Sequence, residues 1–150
     1  MNQISNVNAK QECERLMNNL LPTAQNMLSK YREFYPYGGY IELDGQIRHV
    51  GVEDETTEYP QSTDIIEALE NLFLEKARAQ QCKATAIVCD VRVKVPGAER
   101  KSDAIQVRLD HVEGYSTAVF FPYEIVKDEI RYGKTFAHKG KGAIFRYHRA

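Results

Sequence analysis

Residues 83–123, KATAIVCDVRVKVPGAERKSDAIQVRLDHVEGYSTAVFFPY, decide the fold of this chain. Three runs in it alternate apolar and polar residues with period two, the signature of strands. Ile87, Cys89, Val91, Val93 and Val95 share one side of the first run, and Ile105, Val107 and Leu109 share one side of the second. Pro96-Gly97 opens a charged loop between them, and Glu113-Gly114 turns the second run into a third, Tyr115–Phe121, which Pro122 stops. Asp90, Arg92, Lys94, Gln106, Arg108 and Asp110 take the outward positions. Opposite charges across such strands add ~0.2–1 kcal/mol per pair, and the same row would make a polar recognition surface.

Upstream of this sheet lie a helix, a hairpin and a second helix. Leu16, Leu20, Ala24, Met27, Tyr31 and Phe34 recur at three- and four-residue spacing and predict a helix over 9–34, with Pro22 kinking it or dividing it into two abutting helices. Tyr35-Pro36-Tyr37-Gly38-Gly39 ends it, with the glycines supplying a turn. Tyr40–Leu43 and Gln46–Val52 flank Asp44-Gly45, a type I′ hairpin signal. After the polar loop EDETTEYPQ (53–61), cap oxygens at Ser62, Thr63 and Asp64 start a second helix. Its buried stripe is Ile65, Leu69, Leu72, Phe73 and Lys76 or Ala77. Residues 124–150 carry only short apolar bursts and read as a loosely packed extension with room for one edge strand or short helix.

The order α-ββ-α-βββ predicts an α+β domain spanning 1–150, with an antiparallel sheet of about five strands packed by two helices and an irregular C-terminal extension. It also matches the profilin/roadblock-like arrangement, an analogy of fold alone.

Composition narrows the function. The apolar share of 43% and charged share of 27% are those of a globular protein, and the net charge of −1 gives no global attraction to nucleic acid or an anionic membrane. The balance conceals a gradient: residues 53–70 carry seven carboxylates and no Lys or Arg, whereas 131–149 carry six Lys/Arg and no carboxylate. No apolar run approaches the ~20 residues that cross a bilayer, and the start MNQISNVNAKQECERL lacks the pattern of a signal peptide. Cys13, Cys82 and Cys89 have no CxxC spacing and read as reduced thiols, so the expected location is the cytoplasm.

The candidate chemistry is recognition. Glu53, Asp54, Glu55 and Glu58 form an acidic loop suited to docking a basic partner, since charge complementarity speeds association. Gly51 precedes these carboxylates instead of lying among them, which argues against a calcium loop, and no metal or cofactor is expected. His49, His111, His138 and His148 are scattered, without HxxxH or HxH spacing. His138-Lys139-Gly140-Lys141-Gly142 has no Ser or Thr after its Gly-Lys pair and reads as a flexible basic loop, not a phosphate loop. Phe34, Tyr35, Tyr37 and Tyr40 crowd one junction, where they read as core, or as interface anchors.

Two segments carry a family resemblance: FYPYGGYIELDGQIRHVG (34–51), and AIVCDVRVKVP (86–96) with SDAIQVRLDHVEGYSTAVFFPY (102–123). They resemble a family of small bacterial cytoplasmic proteins with a "FYPFGA … DG" hairpin, a "CYDVRV" strand and a "DAI…LEH…GYS…VFFPY" strand pair. This chain has VCDVRV at the second motif, which moves only the aromatic position. The family is similar to immunity proteins encoded beside secreted polymorphic toxins. The resemblance implies a stoichiometric inhibitor of a cognate protein toxin and transfers no catalytic residue.

The leading expectation is therefore a cytoplasmic immunity protein, not an enzyme, binding its toxin through Glu53, Asp54, Glu55, Glu58, Asp90, Arg92, Arg108 and Asp110. The second is a non-catalytic regulatory or assembly module with a profilin/roadblock-like fold, acting as a homodimer through sheet or helix. A third is an enzyme using His49 or His111, which needs a deep pocket holding both a histidine and a carboxylate of perturbed pKa.

Overall fold

The computed structural model describes residues 3–51 and 61–146. The elements run α1 (Gln3–Tyr31), β1 (Tyr37–Glu42), β2 (Ile47–Val50), α2 (Ser62–Arg78), β3 (Cys82–Lys94), β4 (Lys101–His111), β5 (Ser116–Val126), β6 (Glu129–Tyr132) and β7 (Phe136–Lys139). All strand pairs are antiparallel, in the order β2-β1-β3-β4-β5-β6, with β7 also on β5. This is the expected α+β fold, with seven strands among the described residues where about five were expected. No described helix is long and apolar enough to cross a membrane.

The two helices cover opposite faces of the sheet. Cys13, Leu16, Leu20, Ala24 and Leu28 of α1 pack on Ala84, Ala86 and Val88 of β3 and Ile105, Val107 and Leu109 of β4. Ile65, Leu69, Phe73 and Ala77 of α2 pack on Ile87 and Cys89. β3 is consequently buried on both sides from Ala84 to Cys89. Gly38 and Gly39 lie within β1, where they serve packing and not the expected turn. A Cβ on Gly38 would press on the Ala86 carbonyl and stand 3.1 Å from the Phe73 ring, and one on Gly39 would meet Leu20 at 2.9 Å. The paired glycines let both helices close onto one strand, one from each side.

α1 is a single helix that contains Pro22. In a regular helix the Ala24 N–H would bond the Leu20 carbonyl. Here the Tyr37 hydroxyl stands between them, accepting from Ala24 N at 2.9 Å and donating to Leu20 O at 2.6 Å. A side chain inserted in the ladder beside a proline keeps the helix satisfied without dividing it. The buried stripe continues through Leu28; Met27 is only half-buried and Tyr31 is exposed, both off the expected stripe.

The turns also differ from the sequence signals. In the β1–β2 hairpin only Gly45 has positive φ (+96°), with Gly45 N bonding Glu42 O and Glu42 N bonding Gln46 O. That is a type I turn with a glycine bulge, not type I′. The type I′ geometry occurs instead between β5 and β6, where Lys127 (φ 48°) and Asp128 (φ 69°) are both left-handed. Pro122 does not end β5. Its carbonyl accepts from Gly133 N, so its missing donor faces the β6–β7 side, just beyond the last β5–β6 pair, Tyr123–Tyr132, and the β4 ladder keeps its bonds.

Within the extension expected over 124–150, residues 147–150 lie outside the described residues, and most of 124–146 is exposed, though parts of it pack on the body of the fold. Ile144 and Phe145 are buried against α2, and β7 lies along β5. A Cβ on Gly140 would collide with Ser116, whose carbonyl carbon is at 2.8 Å, and would lie 2.7 Å from Thr117 N. Gly142, with φ +65°, donates its N–H to Ser116 Oγ at 3.0 Å. The glycine-lysine run is a strap that crosses β5 in close contact.

Candidate functional site

The eight recognition residues do not form one surface. Glu53, Asp54, Glu55 and Glu58 lie outside the described residues. The other four divide between the two faces of the sheet, because the β3–β4 register pairs even positions with odd ones: Asp90 faces Ile105, Arg92 faces Asp103, Arg108 faces Ile87 and Asp110 faces Thr85. Paired residues share a face. Asp90 and Arg92 therefore stand on the α1 side and Arg108 and Asp110 on the α2 side, which overturns the single outward row. The expectation that Ile87 and Ile105 face the same way falls with it.

On the α2 side, Arg108 and Asp110 line a cleft of about 370 Å³ walled by Glu70 of that helix, by Ser116 and Phe120 of β5 and by the strap. Arg108 is committed within the fold: its Nη1 bonds Glu70 Oε1 at 3.2 Å and its Nε bonds Gln106 Oε1 at 3.1 Å. Asp110 Oδ1 accepts from Ser116 Oγ at 2.9 Å, and that hydroxyl accepts in turn from Gly142. These bonds position the strap and leave Lys139 and Lys141 exposed on the rim. The half-exposed Arg108–Glu70 pair adds little stability, on the order of 0–1 kcal/mol.

On the α1 side, Asp90 lies at the floor of the second cavity. β1 pairs with β3 only as far as Val88, so Asp90 is the first residue of that row beyond its cover. The cavity, of about 470 Å³, is lined by Met27 and Tyr31 of α1, by Glu33, Phe34 and Tyr35 of the connection to β1, by Ser62 and by Asp90. The Tyr123 hydroxyl donates to Asp90 Oδ1 at 2.6 Å, and the backbone at Phe34 also hydrogen-bonds this carboxylate. Partial burial raises the Asp90 pKa, the Tyr123 bond opposes the rise, and the charges of Asp103 and Glu33 add to it. Burial, then the Asp90 bond, holds the Tyr123 hydroxyl protonated far above its ordinary range. Tyr132 lies beside Tyr123, with ring centroids 6.4 Å apart. Three of the four large apolar side chains exposed among the described residues, Tyr31, Tyr35 and Tyr132, thus gather at this end of the sheet. Next along the row, Arg92 pairs with Asp103 at 3.3 Å in the open.

Two histidines are held by local partners. His111 is 4% exposed, and its Nδ1 accepts the Glu113 N–H at 3.0 Å, so Nε2 carries the proton and donates to Glu12 Oε1 at 3.1 Å. Lys83 Nζ reaches the other Glu12 oxygen at 2.6 Å. Burial would raise the Glu12 pKa, but the Lys83 and His111 bonds outweigh it and hold the carboxyl below its usual value. His49 Nε2 meets Asn19 Oδ1 at 2.5 Å. Neither His49 nor His111 lines a described cavity, and the cavity holding the perturbed Asp90 has no histidine among its lining residues. Among the described residues, no group of three or more His, Cys, Asp or Glu is placed to hold a metal ion.

The sequence marked the aromatic junction without separating its members. Phe34 and Tyr37 are core, whereas Tyr35 is half-exposed on the cavity rim. The contributions of Tyr31, Glu33 and Tyr123 carry no local signal, since only the fold brings residues 31, 90 and 123 together. No family model, curated protein or solved structure matches this chain.

Proposed function

We propose that this chain is a cytoplasmic bacterial immunity protein that binds and neutralises a cognate protein toxin by direct contact. The observation that carries the reading is the aromatic cavity around Asp90. Tyrosines exposed on a cavity rim lose little side-chain entropy on burial and are enriched among the residues that dominate protein interfaces. The same cavity is lined by Ser62, in sequence just past the stretch carrying Glu53, Asp54, Glu55 and Glu58. An acidic surface with aromatic anchors suits a basic partner, which it attracts at long range and holds by packing.

Co-expression tests the proposal. The product of the gene immediately upstream should kill a host alone and be harmless with this protein, and the two should co-purify in equal amounts. Tyr31→Ala with Tyr35→Ala should weaken the complex by roughly 30-fold or more, as expected when interface anchors worth about 2 kcal/mol are truncated. Absence of both protection and complex would refute the reading. A purified protein that self-associates and ignores the neighbouring product would favour an assembly module instead.

A further inference from the structure

We propose that the cavity around Asp90 receives one arginine side chain of the bound partner, with the Asp90 carboxylate as its counter-charge and Tyr31, Phe34 and Tyr35 as its aromatic wall. This rests on the protein-binding reading above and names the group recognised. The lining residues include two carboxylates, Glu33 and Asp90, and no Lys or Arg. The nearby cations are committed elsewhere: Arg92 to Asp103, and Arg32 to Asp128. A carboxylate offers about four acceptor positions. Asp90 receives the Tyr123 hydroxyl and the Phe34 backbone, which fix its orientation and leave it capacity for a further donor. Its partial burial disfavours an uncompensated charge, so a cation entering the cavity relieves a cost already present in the free protein.

Arginine fits better than the alternatives. A guanidinium stacks on aromatic faces and can bond a carboxylate through two parallel N–H groups, whereas an ammonium is a compact, strongly hydrated point charge. An apolar side chain would use Met27 and the rings but would bury the carboxylate unpaired. The volume of about 470 Å³ accommodates a long side chain together with the backbone that presents it.

The test needs only the isolated protein. Amide resonances are followed while Nα-acetyl-arginine amide is added, with Nα-acetyl-citrulline amide as its neutral isostere. Arginine amide should give saturable shifts at Glu33–Tyr35 and at Asp90, binding about fivefold or more tighter than citrulline amide. Asp90→Asn should bring that ratio close to one. Should Asp90→Asn disturb folding, Tyr35→Ala at the exposed rim should still weaken arginine amide binding severalfold. Equal binding of the two amides, shifts located elsewhere, or no shift at tens of millimolar would each overturn the proposal. Because no toxin is present, this result is independent of co-expression. Protection without arginine preference would leave the immunity reading standing with a different anchor, and the converse outcome would leave a cation site without a toxin.

Discussion

Replacing Tyr37 by Phe isolates one oxygen atom whose role the fold defines closely. That hydroxyl occupies a broken rung of α1, accepting from Ala24 N at 2.9 Å and donating to Leu20 O at 2.6 Å. The side chain is 8% exposed, and burial raises its pKa well beyond the ordinary tyrosine range, so it acts as a neutral donor and acceptor at every pH of interest. Phe preserves the ring and its edge contact with Phe34 but leaves one buried N–H and one buried carbonyl facing each other across a gap. Each unmet group costs about 1–3 kcal/mol. Partial closure of the helix would recover some of this, so we expect a net loss of about 2–3 kcal/mol. Against a typical stability of about 5–15 kcal/mol, that lowers a urea midpoint by roughly 1–2 M with the slope unchanged. Far-UV circular dichroism during urea unfolding reads both quantities. Pro22→Ala should reduce the cost of Tyr37→Phe, because a helix without the proline can re-form the direct bond. A loss below about 0.5 kcal/mol in the Pro22 background would refute the wedge, since it would mean that Ala24 and Leu20 pair unaided.

Three further outcomes are expected. Gly140→Ala should force the strap off Ser116 and loosen the seats of Ile144 and Phe145, at about 2–4 kcal/mol in urea unfolding with early proteolysis near residue 140. Wild-type stability with Gly140→Ala would show that the strap adds nothing. Glu12→Gln should be less stable than wild type at neutral pH. The Glu12 pKa is lowered from its ordinary 4.5, so its stabilisation is present above that value and is lost as pH falls through the lowered pKa, and acid unfolding curves of the two proteins should converge there. Finally, burial pushes the thiols of Cys13 to about 12 and of Cys82 and Cys89 to about 11, so none should react with a disulfide reagent until the protein unfolds. Fast labelling of the native protein would contradict their burial.

Much of the fold is legible in the residues because local physics dictates it. Period-two alternation marks β3, β4 and β5, the four-residue recurrence of Leu16, Leu20 and Ala24 marks α1, and Ile65, Leu69, Phe73 and Ala77 mark α2. Boundaries fail where the signal depends on a neighbour. Pro122 reads as a stop, but its missing donor falls on the β6–β7 side where the β5–β6 pairing ends, so the strand continues through it. Lys127-Asp128 forms a tight turn without glycine, and so goes unseen between strands of only four paired residues.

The candidate site was legible only in fragments, and the reason is register. Alternation tells that Asp90 and Arg92 share a side, and that Arg108 and Asp110 share a side. It is silent on whether those sides coincide, because a shift of one residue in pairing exchanges the faces of a whole strand. The even-to-odd pairing of β3 with β4 sent the two pairs to opposite faces: Arg108 and Asp110 into a cleft where both are held by internal bonds, Asp90 to an aromatic cavity and Arg92 to an exposed pair with Asp103. The amino-acid sequence by itself determined the element order, the strand and helix periods and the charge gradient, all of which are properties of near neighbours. Tertiary structure alone decided which residues stand together: Tyr37 in the helix, the strap on Ser116, and Tyr31, Tyr35 and Tyr123 around Asp90. Those contacts join residues far apart in the chain, and only the packing of two helices on opposite faces of one sheet fixes their positions.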